Sequence, residues 1–290
     1  MFLTPFQPSH IERLTCSFFD FNPNIDILRD DLIHPVVSGN KWRKLKYVIQ
    51  ELKKLEDPVL VTFGGAYSNH LVATAYAANY FHIKAHGFVR GDEARELNLY
   101  ERICLDNHMT LQHVSRTDYR DKLKLFHDFR LLNPGAVFLN EGGDHELALK
   151  GCGEILDEPG NTYDYIVLAA GTGTTVQGLV KGVIERGMDT KVIGISALKG
   201  NKELDRRLAK YPQNFWQIEH HYHRGRYASM DGELLGFIKD FFVETGIRLD
   251  PVYTGKMMLA AIDLYRKEFF RHDDRVLLIH TGGLLAFPEE

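Results

Sequence analysis

The chain has 290 residues, 44% of them hydrophobic and 26% charged, with a formal net charge of −4. That length suits one large globular domain or two smaller ones, and the mixed charge, without a basic tail or stripe, argues against nucleic acid as a main partner. The apolar runs are strand-sized, so no membrane span is expected. The opening MFLTPFQPSHIERL lacks the basic and long apolar regions of a signal peptide.

In chain order, the first informative stretch is SGNKWRKLKYVIQEL, from Ser38 to Leu52. It opens on a turn-like Ser38-Gly39-Asn40 and continues as a helix. Lys41 stands at the N-terminus of that helix, where the dipole disfavours a cation. A solvated surface lysine is the ordinary reading. The other is a lysine that forms a Schiff base with a carbonyl compound.

After it, β-rich runs alternate with amphipathic ones. PVLVTF (Pro58 to Phe63) ends at Gly64-Gly65, and the helix SNHLVATAYAANYF follows. AHGFVR, TLQHVS and AVFLN read as strands, separated by helices over LNLYERICLDNHM and DYRDKLKLFHDFRLL. YDYIVLAA (Tyr163 to Ala170) is a continuous apolar run, suited to a buried parallel strand. In the next segment Val176, Leu179, Val180, Val183 and Ile184 form one helical stripe. Then come KVIGISAL, a polar segment rich in His and Arg, a helix near GELLGFIKDFFVETG, the loop LDPVYTG, the helix KMMLAAIDLYRKEFF and a last strand, RVLLIHTGG. This rhythm predicts an α/β fold with mainly parallel sheets.

Cys16, Cys104 and Cys152 are far apart, odd in number and form no CxxC, which points to a reducing, cytoplasmic compartment. Alternation could put His221 and His223, in the cluster His220-His221-His223, on one strand face as metal ligands. No partner motif accompanies them, and no metal is expected.

In open parallel sheets ligands bind at the carboxyl ends of strands. Three such junctions stand out. In AAGTGTTVQG, Gly171 and Gly173 allow close backbone approach, Thr172, Thr174 and Thr175 add hydroxyls, and a helix N-terminus follows. That set can cradle a phosphate. No Gly-Lys-Ser/Thr ends it, and the third glycine of a dinucleotide fingerprint would fall at Val176, so a monoester fits better than a pyrophosphate. A tight turn without ligand is equally compatible. In TFGGAYSNH, Ser68 and Asn69 are good helix caps. They could also face a substrate carboxylate, with Asn69 reaching a ring hydroxyl. In HTGGL, Gly282 and Gly283 could be a turn or a wall of a site. A phosphate cradle together with Lys41 suggests pyridoxal phosphate, an aldehyde for the lysine and a phosphate for the loop.

SGNKWRKLKY, GGAYSNH, AGTGTTVQGLVKG, DPVYTGKMM and VLLIHTGGL, in this order, resemble the signatures of the 1-aminocyclopropane-1-carboxylate deaminase / D-cysteine desulfhydrase family. These are pyridoxal-phosphate enzymes of the tryptophan-synthase β-like fold, and the matches span most of the chain. The resemblance implies that Lys41 binds the cofactor covalently and shuttles the substrate's α-proton. It implies that Asn69 bonds the ring oxygen, that Ser68 and His70 lie near the substrate carboxylate, and that Gly171 to Thr175 hold the phosphate. Tyr253 would be an active-site tyrosine, and Tyr227, in GRYASM, is the best match to a second. Thr254 stands where the deaminases carry a glutamate facing the pyridine nitrogen and the desulfhydrases a threonine. A hydroxyl there leaves a weaker electron sink, which favours elimination of a good leaving group over ring opening. His70 replaces a usual glutamine, Trp42 is bulkier than the usual residue, and EHHYHRGRYASMDGEL matches poorly.

The expectation is therefore a two-domain, fold-type-II enzyme. A large domain would take residues 1–54 and 161–290, and a small one residues 55–160. The expected reaction is desulfhydrase-like elimination from a small amino acid with release of ammonia. Ring-opening deamination is the alternative, and a non-catalytic protein binding pyridoxal phosphate or a phosphometabolite is a reading from another class. The resemblance also implies a homodimer.

Overall fold

A computed structural model describes residues 6–19, 24–92, 96–157, 162–225 and 230–286. The elements of the first half are β1 (Ile11–Arg13), β2 (Ile25–Leu28), α1 (Asn40–Leu52), β3 (Val59–Gly65), α2 (Asn69–Tyr80), β4 (Lys84–Arg90), α3 (Leu99–Asp106), β5 (Thr110–Val114), α4 (Lys122–Leu132) and β6 (Ala136–Phe138). The second half contains α5 (Glu146–Gly153), β7 (Tyr165–Ala170), α6 (Thr174–Glu185), β8 (Lys191–Ser196), α7 (Lys202–Leu208), β9 (Trp216–Glu219), α8 (Gly232–Thr245), α9 (Thr254–Arg266) and β10 (Val276–Ile279). Among the described residues no helix is long and apolar enough to cross a membrane.

The chain forms two compact units, residues 1–40 with 152–290, and residues 41–151. The first carries a six-stranded sheet ordered β1-β2-β10-β7-β8-β9. Only β1 runs antiparallel, against β2. Side chains alternate across β7. Val167 and Ala169 enter one core with Met257, Met258 and Phe241, while Ile166, Leu168 and Ala170 enter another with Val176, Leu179, Val180 and Leu204. The continuous apolar run is thus explained by burial on both faces.

The second unit carries a four-stranded, all-parallel sheet ordered β5-β4-β3-β6. Val61, Phe63, Phe88 and Tyr119 form a core against Leu125, Phe126 and Phe129 of the α4 face. Helix α1 goes with this unit instead of the expected large domain. Trp42 stacks on Phe81, with ring centroids 6.0 Å apart, and the Lys150 ammonium lies 4.1 Å from the Tyr47 ring centre. Trp42 is therefore a packing residue of α1. The unit begins at Lys41 and ends at Gly151, against the expected 55–160.

The His220–His223 segment departs from the strand expectation. His221–His223 is a 3-10 turn, in which His223 Nδ1 accepts from Gly225 N–H and His220 bonds Asp205. Buried Lys256 donates to the His223 carbonyl at 3.0 Å.

Candidate active site

In the first unit, β7 runs into Gly171-Thr172-Gly173 and then α6. Gly173 is the N-cap of α6 at φ 89°, a left-handed conformation that glycine adopts without steric cost, and it brings no side chain to cap the helix. The first-turn N–H groups of an α-helix have no intrahelical partners, and here no cap side chain serves them, which suits an anion. The surrounding turn is well tied. The Thr172 and Thr174 hydroxyls lie 3.2 Å apart, Asn201 donates to the Gly171 carbonyl at 2.9 Å, and the Asn40 amide donates to the Thr175 hydroxyl at 3.1 Å. Asn40 immediately precedes Lys41, so the residue leading into the lysine is bonded to the glycine-threonine loop.

Tyr253 sits over the same turn. A Cβ placed on Gly171 would lie 3.2 Å from its ring. The DPVYT loop that carries it is built around Asp250, a buried carboxylate that accepts from the N–H groups of Val252, Tyr253 and Thr254 at 2.8–2.9 Å. The Thr254 hydroxyl donates to the same carboxylate at 2.7 Å and accepts from the Asp250 N–H at 2.7 Å. Burial pushes the Asp250 carboxyl above its usual range, and the Thr254 and Tyr253 donors pull the other way. Thr254 is fully buried, with its hydroxyl proton given to Asp250. Asp250 was not singled out in the sequence. The aspartate three residues before Tyr253, opening the loop, is the signal that could have found it.

In the second unit, β3 ends at Gly65 and α2 follows. Ser68 is indeed the N-cap, accepting from Leu71 N–H at 3.3 Å. Asn69 is the first helical residue, and its Oδ1 is buried without a hydrogen-bond partner. His70, also buried, is held by a short chain. The Thr62 hydroxyl donates to the Leu139 carbonyl at 2.9 Å and so accepts from His70 Nε2–H at 2.8 Å. That fixes the tautomer and leaves Nδ1 as a bare acceptor, which has no partner. Burial, then the positive charges of Lys41 and Lys44, hold His70 well below its ordinary pKa. In this state His70 offers a substrate carboxylate no proton. It suits a hydrogen-bond donor.

Lys41 lies in the first turn of α1, as expected. Tyr227 lies outside the described residues. The cradle at Gly171–Thr175, with no side chain to cap it, fits a phosphate, and the orphaned Asn69 oxygen calls for a polar ligand group. Both agree with pyridoxal phosphate.

Comparisons with known proteins point the same way. A putative 1-aminocyclopropane-1-carboxylate deaminase of Thermotoga maritima is 29% identical, over 97% of this chain and 95% of its own. A bifunctional D-cysteine desulfhydrase/1-aminocyclopropane-1-carboxylate deaminase of Arabidopsis thaliana, mitochondrial, is 28% identical over 98% of this chain and 78% of its own. The crystal structure of an ACC deaminase homologue superposes with a TM-score of 0.74 at 29% identity, covering 90% of this chain and 84% of the other. The family model "Pyridoxal-phosphate dependent enzyme" matches residues 20–282, and with nearly the whole chain inside that match, the protein belongs to the pyridoxal-phosphate dependent enzymes.

Proposed function

We propose that this enzyme releases ammonia from a small amino acid by β-elimination, in the manner of a D-cysteine desulfhydrase. The observation that carries this reading is Thr254. No carboxylate occupies that position, and the hydroxyl proton there is already donated to Asp250 at 2.7 Å. A ring nitrogen placed beside that hydroxyl would find no acid there and would stay unprotonated, which suffices to expel a good leaving group such as thiolate.

When bound, pyridoxal phosphate supplies an aldehyde that condenses with amino groups and a ring that takes up the electron pair left at the α-carbon. The chain does the rest. Lys41 would hold the cofactor covalently and, once its amine is freed, would take the substrate's α-proton. Gly171 to Thr175 would hold the phosphate, and Asn69 would bond the ring oxygen. Ser68 and the first-turn N–H groups of α2 take the substrate carboxylate. His70, as a bare acceptor, receives a donor of the substrate. Tyr253, aided by Tyr227, holds or moves a proton at the leaving group. The free thiols of Cys16, Cys104 and Cys152 support a cytoplasmic setting, and the family likeness supports a homodimer.

Ring opening of 1-aminocyclopropane-1-carboxylate is the competing activity, named in the relatives. The purified enzyme is given D-cysteine or 1-aminocyclopropane-1-carboxylate, and ammonia, sulfide and 2-oxobutanoate are assayed. Ammonia with sulfide from D-cysteine is the expected result. Ammonia with 2-oxobutanoate from the cyclopropane, and none from D-cysteine, would overturn the reading.

A further inference from the structure

The HTGGL turn after β10 is left without a role by the residues assigned so far, yet its histidine is among the most constrained in the molecule. His280 is fully buried. Its Nε2 lies 2.6 Å from the Arg248 carbonyl, an acceptor only, so Nε2 carries the proton. Nδ1 is then an acceptor, and it receives the Gly282 N–H at 3.2 Å. The Asp31 carboxylate stands 3.5 Å from the same Nδ1, but both its oxygens are held by Arg29 at 2.9 and 2.7 Å, and Arg29 also donates to Glu12 at 2.7 Å.

What His280 holds matters more than what holds it. Arg248 lies two residues before Asp250, at the entry to the loop of Tyr253 and Thr254. Gly282 is pressed on the turn that leads into the lysine. A Cβ on Gly282 would fall 2.1 Å from Ser38 Oγ, and a Cβ on Gly39 would fall 1.8 Å from the Thr281 carbonyl. Asn40 N–H donates to that carbonyl at 3.3 Å, and the Asn40 amide reaches Thr175 in the phosphate cradle. One imidazole thus touches both the loop before Tyr253 and the turn against which Ser38–Asn40 is packed.

We propose that His280, through its Nδ1 lone pair, is a positioning residue for the cofactor. It fixes the Thr281–Gly283 turn, that turn fixes Ser38–Asn40, and Asn40 in turn orients Thr175 and the start of α1 from which Lys41 projects. This rests on the assignment of the Gly171–Thr175 loop as the phosphate site. The competing explanation is that His280 merely fills core space.

Two variants separate these. An asparagine oxygen stands near the His Nδ1 position, whereas a glutamine amide nitrogen stands near Nε2. His280→Asn keeps the acceptor for Gly282 but loses volume. His280→Gln keeps volume and the donor to Arg248 but loses that acceptor. Pyridoxal phosphate is titrated into cofactor-free wild-type and variant protein, and the dissociation constant is read from absorbance. The expected result is a glutamine variant weakened about tenfold or more and an asparagine variant within about threefold of wild type. Turnover at saturating cofactor should fall less than affinity does. Asparagine equal to or worse than glutamine would overturn the proposal, because lost volume would then be the cause. Should either variant fail to fold, ¹⁵N spectra of the wild-type imidazole decide: an Nδ1–H tautomer would also overturn it. A wild-type protein that binds no pyridoxal phosphate would instead sink the cofactor assignment itself.

Discussion

Two loops with candidate ligand-binding residues, one in each unit, are built in opposite ways. In the first unit, the Gly171–Thr175 turn is braced by its own hydrogen bonds: Asn40 on Thr175, Asn201 on Gly171, Thr172 against Thr174. In the second unit, the start of α2 leaves two buried side-chain atoms, Asn69 Oδ1 and His70 Nδ1, with nothing to bond. The first has its side chains tied without a ligand and offers mainly backbone N–H groups. The second bears the cost of buried, unsatisfied acceptors, roughly 1–3 kcal/mol each, which a ligand could recover. Preorganisation and ligand dependence are thus divided between two strand ends.

The largest effect should come from Lys41→Ala. In the proposed reaction the amine is both covalent anchor and base, so ammonia release should fall by about 10³-fold or more. A second readout bears on the α2 loop directly. The Lys41 charge is one of the causes that depress His70, so the variant should show a higher His70 pKa in NMR titration of the cofactor-free protein. Full turnover in the variant would end the scheme, and an unmoved His70 would end the electrostatic coupling.

A pair of substitutions tests the contrast itself. Asn69→Ala removes a buried acceptor that has no partner, so the cofactor-free protein should melt no lower than wild type, while cofactor affinity falls by about tenfold. Thr175→Val breaks the bond from Asn40, so the cofactor-free protein should lose about 1 kcal/mol in denaturant titration. If the two variants lose equal stability without ligand, the distinction between a finished loop and a waiting one is wrong.

Much of this was legible in the sequence. The α/β class, the βαβ rhythm and the three strand-end turns came from apolar runs and glycine punctuation, and these survive because both faces of β7 are buried. The pieces that escaped are short or polar. β2 contains Asp26, whose charge interrupts an apolar strand but is met by Arg13 and Tyr163. β9 is Trp216–Glu219, with two polar side chains in four residues. The His221–His223 segment alternates like a strand, yet a buried lysine 33 residues further along the chain, Lys256, claims its last carbonyl. Tertiary partners of that kind leave no local mark. The same holds in the site. Ser68 as a cap can be read from its position, but the tautomer of His70 depends on Thr62 and on a carbonyl at Leu139, which spacing does not reveal.

An orphaned nitrogen does not by itself mark a site, and His86 shows why. Its ring is wedged against Phe88 and Phe129, with centroids 4.7 and 4.3 Å away, and its Nε2 is buried without a partner, as Nδ1 is in His70. But His86 lines a cavity of about 500 Å³ with Val59, Lys84 and Thr110, at the amino ends of β3, β4 and β5, opposite the ligand-binding ends of a parallel sheet. Burial lowers its pKa to about 4, only partly opposed by the bond to Gln112. The unfolded chain takes up this proton near pH 6.5, and the folded one only near 4. The folded state is therefore favoured fully above about 6.5 and loses up to about 1.4 kcal/mol per pH unit as the pH falls toward 4. His86→Leu should flatten that part of the stability profile in denaturant titrations at successive pH values. His70, also depressed, should keep contributing its own share of acid sensitivity. Saturating cofactor should leave the share due to His86 unchanged, because no cofactor contact is proposed at that end of the sheet. A slope unaltered by His86→Leu would mean that the imidazole is protonated or solvated in the folded state, and the likeness between the two histidines would fail.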